Sequence, residues 1–167
     1  MTRLVRSSRM TKLSLTAIVA VILLGGALWL GTGAFAKGTP YTPQTHKYTM
    51  TAVPVLVHEM QGTLPYLQKD FAKGGLLDGK EVYTYLPSTL VVYQGDTVDL
   101  TLVNPADDPH SFTISELNIN VAMPGGSSTT TSFVATKAGI YTYYCNEAEH
   151  FPFMWGQLIV LPAPTGA

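Results

Sequence analysis

Hydrophobic and polar residues alternate along much of the C-terminal two-thirds of the chain. The clearest case is Thr97–Val103, where Val98, Leu100 and Leu102 alternate with polar or charged residues. A repeat of two residues is typical of a β-strand that has one buried and one wet face. Similar short runs, separated by turn residues, predict further strands at Tyr48–Val57, Lys80–Leu86, Thr89–Tyr93, Ser111–Ser115, Thr129–Ala135, Ile140–Tyr144 and Gly156–Leu161.

Two local features modify this pattern. Pro54 lies inside the first predicted strand, and because proline cannot donate a ladder hydrogen bond we expect that strand to be an edge strand or a bulged one. Leu64, Leu67 and Phe71 recur at helical spacing and predict one short helix over Leu64–Lys73. Many short strands with frequent turns predict an all-β fold, a β-sandwich with one short helix.

The N-terminus carries a long apolar run. Leu13–Ala36 holds 24 consecutive uncharged residues, and as a helix at ~1.5 Å per residue it would cross a hydrocarbon core of ~30 Å. No acidic residue occurs before Glu59, and four positive charges precede the run: Arg3, Arg6, Arg9 and Lys12. The pattern predicts a cytoplasmic tail (1–12), a single-pass transmembrane helix (13–36), and a domain on the periplasmic side of a bacterial or archaeal cytoplasmic membrane.

A cleaved signal peptide is the alternative interpretation of this run. Ala34-Phe35-Ala36 resembles an A-x-A cleavage site. The apolar part of a signal peptide is usually only ~7–15 residues long, which favours a retained anchor. Both interpretations export the rest of the chain, in which residues 37–47, rich in Pro and Thr, predict a linker and residues 48–167 the folded domain.

Composition and charge exclude several classes of protein. With 46% hydrophobic and 13% charged residues, the chain is not a charged, disordered one. From Lys37 onward it has six lysines and eleven carboxylates, a balance opposite to that of a nucleic-acid binder. A single cysteine excludes an intrachain disulfide and a zinc site built from several cysteines. No catalytic triad, paired-carboxylate or P-loop pattern is present, so we expect neither an enzyme nor a small-molecule substrate.

Four residues with metal-binding side chains follow one another in the C-terminal third. They are His110, Cys145, His150 and Met154. Two imidazoles, one thiolate and one weak axial thioether form the ligand set of a trigonal electron-transfer copper site. Because Cys145, His150 and Met154 fall within ten residues, one loop between two strands can present all three. His110 must come from a separate strand.

The surrounding residues resemble the cupredoxins, the family of small blue copper proteins. Gly139-Ile-Tyr-Thr-Tyr-Tyr-Cys145 is similar to their G-x-Y-x-Y-x-C run, and the C-x4-H-x3-M spacing is azurin-like. Val91–Asn104 looks like the strand pair before their first copper histidine, and Asn104 with His110-Ser-Phe112 matches their N…H-x-F pattern. The resemblance covers about Lys80 to Leu161. It implies a Greek-key sandwich that holds one copper ion cycling between Cu(I) and Cu(II).

Two subgroups of the family share features with this chain. His110-Ser111 is similar to rusticyanin, whereas Cys145-Asn-Glu147 resembles the start of the C-x-E-x-C loop of cytochrome oxidase subunit II. Glu149 stands where that loop has its second cysteine, so a two-copper site is not expected. A membrane anchor before the domain is also a feature of that subunit. The chain therefore looks like an oxidase-associated, membrane-anchored cupredoxin of acidophiles.

Each candidate ligand also has an ordinary structural explanation. Cys145 could be an inert buried thiol, His110 a core histidine, and Met154 a residue that fills a gap in the core. The flanking aromatic residues could belong to the core, or could form an apolar rim around a solvent-facing edge of His150. These aromatic residues are Phe151, Phe153 and Trp155.

The sequence therefore predicts a membrane-anchored carrier of single electrons, with no nucleic acid as partner. The resemblance implies a cytochrome c or another copper protein as the electron donor and a terminal oxidase as the acceptor, within a respiratory chain. One alternative is a protein that delivers copper to a cytochrome oxidase or assists its assembly as an accessory subunit. Another is a structural oxidase subunit that has lost its metal.

Overall fold

The computed structural model describes residues 39–165. They form two β-sheets and little helix, which confirms the predicted β-sandwich. The strands are β1 (Thr45–Leu56), β2 (Val82–Leu86), β3 (Thr89–Tyr93), β4 (Thr97–Asn104), β5 (His110–Ile114), β6 (Ile119–Met123), β7 (Ser127–Val134), β8 (Gly139–Tyr144) and β9 (Trp155–Leu161). One α-helix, α1 (Leu67–Phe71), and two 3-10 helices (His58–Gly62 and Ser115–Leu117) complete the fold.

The predicted tail and transmembrane helix, residues 1–36, lie outside the described residues. Among residues 39–165, none of the helices has the length and hydrophobicity needed to cross a lipid bilayer.

The strands are divided between a four-stranded and a five-stranded sheet. The first has the order β2-β1-β4-β7 and the second the order β3-β9-β8-β5-β6. β1 runs parallel to β4 and β3 runs parallel to β9, while the other neighbours are antiparallel. This topology brings β8 and β5 side by side, although their sequences are far apart.

The core lies between the inner faces of the sheets, as the alternating pattern predicts. On β4 the side chains of Val98, Leu100 and Leu102 are buried, whereas those of Thr97 and Asp99 are half-buried on the other face. Tyr85, Phe112 and Tyr143, from three other strands, are also fully buried in the core. There the rings of Tyr85 and Tyr143 meet at 5.3 Å, and those of Phe112 and Tyr143 at 5.0 Å.

Two elements differ from the sequence prediction. β6, at the edge of its sheet, was not predicted, although its sequence INVAM places Ile119, Val121 and Met123 in alternation with exposed residues. The predicted helix over Leu64–Lys73 is shortened to α1, and Gly74 adopts a positive φ of 79° shortly after its end. A left-handed residue of this kind commonly ends a helix.

The proline in β1 produces a bulge but not an edge strand. β1 lies between β2 and β4, and its register with β2 shifts between Pro54 and Leu56. An interior strand tolerates this proline because the pairing of β1 with β4 ends at Thr51, before Pro54 is reached. The bulge therefore confirms the prediction of an edge or bulged strand, although β1 as a whole lies inside its sheet.

β1 and β2 are joined by a long connection, residues 57–81, which we call the excursion. It contains the first 3-10 helix and α1, and it buries a small cluster of its own formed by Leu67, Phe71 and Leu77. The sequence pattern predicted only its helix. Its last residues contact the segment that carries three of the candidate ligands.

A buried carboxylate attaches the N-terminal segment to the sandwich. Asp96 is fully buried between β3 and β4, and it accepts hydrogen bonds from Tyr41 Oη (2.5 Å), the Gln44 N–H (2.8 Å) and the Tyr93 N–H (2.9 Å). His46 Nε2 lies 2.8 Å from Asp96 Oδ2, the oxygen that also accepts the Tyr93 N–H. The predicted linker of residues 37–47 is therefore anchored from Tyr41 onward, and β1 begins at Thr45.

These hydrogen bonds govern the ionisation of Asp96. Burial alone would raise its pKa, but the donors from Gln44, Tyr41, Tyr93 and His46 outweigh burial and hold the pKa well below its ordinary value. The carboxylate therefore contributes stability above its ordinary pKa, and this contribution is lost as the pH falls through the lower pKa of the folded state.

We expect Asp96→Asn to lower the free energy of unfolding at pH 7 by about 1–3 kcal/mol, because an amide leaves buried donors unpaired. Its stability should also fall less steeply than that of the native protein as the pH drops below ~4. Urea unfolding at several pH values measures both effects. Asp99→Asn is the matched control, since Asp99 on β4 is half-buried and accepts a hydrogen bond from Ser132 Oγ at 2.7 Å. Equal losses in the two variants would contradict the role of Asp96.

Candidate metal centre

Three of the four candidate ligands meet at one end of the sandwich. One ligand atom from each of His110, Cys145 and His150 lies within 4.8 Å of the others. The Nδ1 atoms of the two histidines are 3.0 Å apart, and Cys145 Sγ is 3.7 Å from His150 Nδ1. All three residues are buried. The group therefore has the donor atoms and the proximity that a single metal ion requires.

The strands and one loop position these side chains. His110 is the first residue of β5, and Cys145 directly follows β8. The segment Cys145–Met154, here called the ligand loop, connects β8 to β9. Its two ends are joined by a hydrogen bond from the Cys145 N–H to the Met154 carbonyl (3.0 Å). Within the loop, the His150 carbonyl accepts the N–H groups of Phe153 (2.8 Å) and Met154 (3.1 Å), which forms a tight turn around His150.

Asn104 fixes the approach to His110. Its side-chain nitrogen donates to the Asp108 carbonyl (2.7 Å) and the Met123 carbonyl (2.9 Å), and its oxygen accepts the Ala106 N–H (3.1 Å). The buried amide therefore ties the turn between β4 and β5 to the end of β6. These three hydrogen bonds explain structurally why an asparagine precedes His110 in the N…H-x-F pattern on which the resemblance to cupredoxins rests.

The Cys145 sulfur is held by the neighbouring strand. The Ser111 N–H points at Sγ from 3.4 Å. Ser111 Oγ in turn accepts the Asn146 N–H at 2.9 Å and lies 2.7 Å from Asn146 Oδ1. Tyr85 donates to the Ser111 carbonyl from inside the core. A donor aimed at the sulfur stabilises its anionic form, which is the form that binds metals.

The surroundings of His110 and His150 favour the neutral form of each ring, which is the form that binds a metal. Burial and the neighbouring His150 together lower the pKa of His110 to about 4, against the opposing charge of Asp108. Burial also lowers the pKa of His150, although Asp108 and Glu81 oppose it. The Nε2 atoms of both rings are buried and have no hydrogen-bond partner among the described residues. Neutral imidazoles with their Nδ1 atoms together, beside a thiol, fit copper.

Met154 lies in the same buried cluster as Cys145 and is fully inaccessible to solvent. Its backbone carbonyl accepts the Cys145 N–H, which joins the two ends of the ligand loop. Its role as an axial ligand stays a prediction from the sequence.

The expectation that an edge of His150 faces solvent is wrong. His150 is only 2% exposed, whereas Phe151, Phe153 and Trp155 are 53%, 38% and 53% exposed. The apolar rim therefore exists, but it does not surround an open histidine edge. The excursion lies against the ligand loop, since the Glu81 N–H donates to the Glu149 carbonyl (3.1 Å) and Lys80 donates to the Ala148 carbonyl.

Three residues beside the histidines were not predicted from the sequence. The ring of Tyr83 packs edge-on against His110 (4.4 Å between centroids) and His150 (4.8 Å). Its hydroxyl donates to Asp108 Oδ2 (2.8 Å) and lies 3.4 Å from Glu81 Oε2. The alternation of β2 indicates that Tyr83 points inward. No sequence signal links Glu81 or Asp108 to His150, because contacts between distant segments depend on the topology.

An acidic cleft opens next to this group. It has a volume of about 300 Å³ and is lined by Asp108, Pro109, His150 and residues 147–149. Glu147 and Glu149 give its rim two further carboxylates.

Comparisons with known proteins identify the domain type. Residues 79–160 match the family model of the cupredoxin-like domain. Over 86 residues, 44% of this chain, the sequence is 35% identical to the copper-containing nitrite reductase of Neorhizobium galegae. Over 88 residues it is 34% identical to that of Alcaligenes xylosoxydans xylosoxydans. The matched parts are 23% and 26% of these relatives, so the chain spans about a quarter of their length.

A solved structure supports the same fold. The multi-copper oxidase from Pseudomonas Thermotolerans superposes on 72% of this chain and 30% of its own, with a TM-score of 0.50 and 18% sequence identity. These findings support the cupredoxin family, and the curated relatives are copper nitrite reductases rather than rusticyanin or oxidase subunit II.

The expectation that the chain is not an enzyme is wrong. Its curated relatives are named copper-containing nitrite reductases, and reductases are enzymes. The expectation rested on missing triad, carboxylate-pair and P-loop motifs, which belong to acyl, glycosyl and phosphoryl transfer. Copper redox enzymes and copper electron carriers draw on the same ligand types, so missing motifs of this kind do not distinguish them.

Proposed function

We propose that the cupredoxin-like domain of residues 79–160 binds one copper ion through His110, Cys145, His150 and Met154 and transfers single electrons. The observation that carries the proposal is the buried His110–Cys145–His150 group, in which the ligand atoms lie within 4.8 Å of one another. Copper bound there would supply a one-electron Cu(I)/Cu(II) couple. The chain supplies a dry site and donors that are already in place.

Rigidity of the surroundings supports electron transfer. The Cys145 sulfur and the His110 ring are attached to adjacent strands, and Tyr85, Phe112 and Tyr143 pack closely in the core behind them. A densely packed interior resists rearrangement. A site of this kind holds its ligands in the same arrangement in both oxidation states, which keeps the cost of each electron transfer low.

The same burial argues against copper delivery, the alternative function. A protein that hands copper to an oxidase needs ligands that a partner can reach, whereas His110, Cys145 and His150 are 1%, 0% and 2% exposed. Electron transfer requires only that the partner come close to the site. The exposed Phe151, Phe153 and Trp155 of the ligand loop offer an apolar surface for such a contact.

A second candidate function is participation in nitrite reduction. The observation that favours it is the 35% identity to a copper-containing nitrite reductase over 86 residues. In this case the domain delivers its electron to nitrite, either directly or through further copper sites in an assembly.

The cellular setting that we propose follows the N-terminal sequence. Residues 13–36 anchor the chain, and the domain lies outside the cytoplasmic membrane, where a cytochrome c donates electrons and a terminal oxidase accepts them. Support comes from the 24-residue uncharged run and the basic residues before it. The rusticyanin-like and subunit II-like details of the sequence agree with this setting.

We expect Cys145→Ser to abolish the intense visible absorption band of the copper-loaded protein, because serine cannot supply the thiolate that donates charge to Cu(II). Anaerobic copper titration followed by visible spectroscopy measures the band, and circular dichroism checks that the sandwich is folded. An unchanged band in the folded variant would remove the proposed site.

If the domain passes electrons to nitrite, the reduced, colourless protein should regain its visible band when nitrite is added without oxygen. Oxygen-free buffer without nitrite is the control, and ferricyanide shows the full return of colour. A protein that regains colour with ferricyanide but not with nitrite would exclude direct reduction of nitrite by this chain.

We expect the full-length protein to stay in the membrane fraction after washing at high salt, because a transmembrane helix is held by hydrophobic contact and salt screens only ionic attachment. Immunoblotting of the washed membranes measures this. A mature chain that begins near Lys37 and occurs in the soluble extract would show instead that residues 13–36 are a signal peptide.

A further inference from the structure

The second ring nitrogen of His150 is buried without a partner. Nδ1 of this ring is directed at His110 and Cys145, at 3.0 and 3.7 Å. Nε2 is the nitrogen that remains, and it has no hydrogen-bond partner among residues 39–165. If Nδ1 binds a metal, the neutral ring carries its proton on Nε2, and a buried N–H donor without an acceptor is costly.

Two carboxylates face this ring. One ligand atom of His150 and one oxygen each of Glu81 and Asp108 lie within 4.8 Å of one another. Glu81 is 7% exposed, whereas Asp108 is half-buried at the acidic cleft. Both carboxylates act against burial and raise the pKa of the ring, Asp108 more than Glu81. Asp108 Oδ2 already accepts the Tyr83 hydroxyl at 2.8 Å, whereas Glu81 is the more buried of the two carboxylates.

Glu81 is held in place from several directions. Its Oε1 accepts the His58 N–H at 2.8 Å and lies 2.6 Å from His58 Nδ1. Its Oε2 lies 3.4 Å from the Tyr83 hydroxyl, and its own N–H donates to the Glu149 carbonyl at 3.1 Å. Glu81, the last residue of the excursion, therefore contacts both His58 near its start and the ligand loop.

We propose that Glu81 is a positioning residue for the copper ligand His150. Its carboxylate lies within 4.8 Å of a ring nitrogen of His150. Once a metal holds Nδ1, the carboxylate accepts the Nε2–H, orients the imidazole and places a negative charge beside the metal. This inference rests on the proposed copper site. A carboxylate that accepts the N–H of a metal-bound histidine makes the imidazole a stronger donor. The charge therefore stabilises Cu(II) relative to Cu(I) and lowers the reduction potential.

The proposal also gives the excursion a function. His58 and Glu81 lie near the two ends of the excursion, and their hydrogen bonds hold the Glu81 carboxylate beside the His150 ring. The family match begins at residue 79, so most of the excursion lies outside the matched domain. The segment therefore adds to the domain a carboxylate that acts on the copper ligand His150.

The test is Glu81→Gln in the full-length protein, which removes the charge and preserves the shape of the side chain. We expect the affinity for Cu(II) to fall about 10–100-fold, in the range found for such outer partners. The affinity for Cu(I) should change much less, so that the reduction potential rises. Redox titration of the visible band and competition with chelators for each oxidation state measure these quantities.

Matched variants separate positioning from general structure. Glu116→Gln changes the same charge on an exposed residue of the second 3-10 helix and should leave the potential unchanged. Glu81→Asp keeps the negative charge but moves it away from His150, because its side chain is shorter. The change in reduction potential should therefore have the same sign as in Glu81→Gln and be smaller. If Glu81→Gln does not fold, the reduction potentials of Glu81→Asp and Glu116→Gln are compared instead, and a higher potential in Glu81→Asp alone supports the positioning role.

The outcomes are distinct. A native protein that shows the band, with a potential that does not change in the folded Glu81 variants, would overturn this inference alone. Lower thermal stability of the copper-free variant, with an unchanged potential once it is loaded, would show that Glu81 only closes the excursion. A native protein without a thiolate-to-copper band would overturn the proposed function and this inference with it.

Discussion

The contact between the start of β5 and the end of β8 is the constraint on which the candidate metal centre depends. The Ser111 N–H points at the Cys145 sulfur from 3.4 Å, although 34 residues separate the two along the chain. This contact places His110 beside Cys145, and the ligand loop then needs to bring only His150 and Met154. The sheet order, with β8 next to β5, is therefore what turns four scattered residues into one group.

Burial gives this group its chemical character. The same packing that removes His110 from water lowers its pKa to about 4 and leaves the ring neutral. Copper ligation also demands that the donors resist protonation and hold their positions. The aromatic residues behind Cys145 hold the strands in position, whereas the carboxylates beside His150 act against the effect of burial on its pKa.

Much of the sandwich could be predicted because its strands carry a local signal. β3 is predicted to the residue and β4 nearly so, since their inward and outward faces differ clearly in polarity. The candidate ligands could be selected because Cys145, His150 and Met154 are close in sequence and His110 follows a recognisable strand pair. Local patterns carry this information.

Features that depend on contacts between distant segments could not be predicted. The excursion packs against the ligand loop that carries the buried His150, because the N–H of its last residue, Glu81, donates to the carbonyl of Glu149, 68 residues further along the chain. Likewise, Asp96 binds Tyr41 and His46, which are 55 and 50 residues away along the chain, so the predicted linker is in part ordered structure. The exclusion of an enzyme failed for a different reason, since ligand types alone do not separate a copper carrier from a copper reductase.

X-ray absorption spectroscopy of the copper-loaded, full-length protein in both oxidation states tests the central claim most directly. The account predicts one short copper–sulfur bond and two imidazole nitrogens in the Cu(II) form and in the Cu(I) form, with small changes in distance between them. A copper ion surrounded by nitrogen and oxygen atoms without a thiolate, or a ligand set that changes when the ion is reduced, would contradict it.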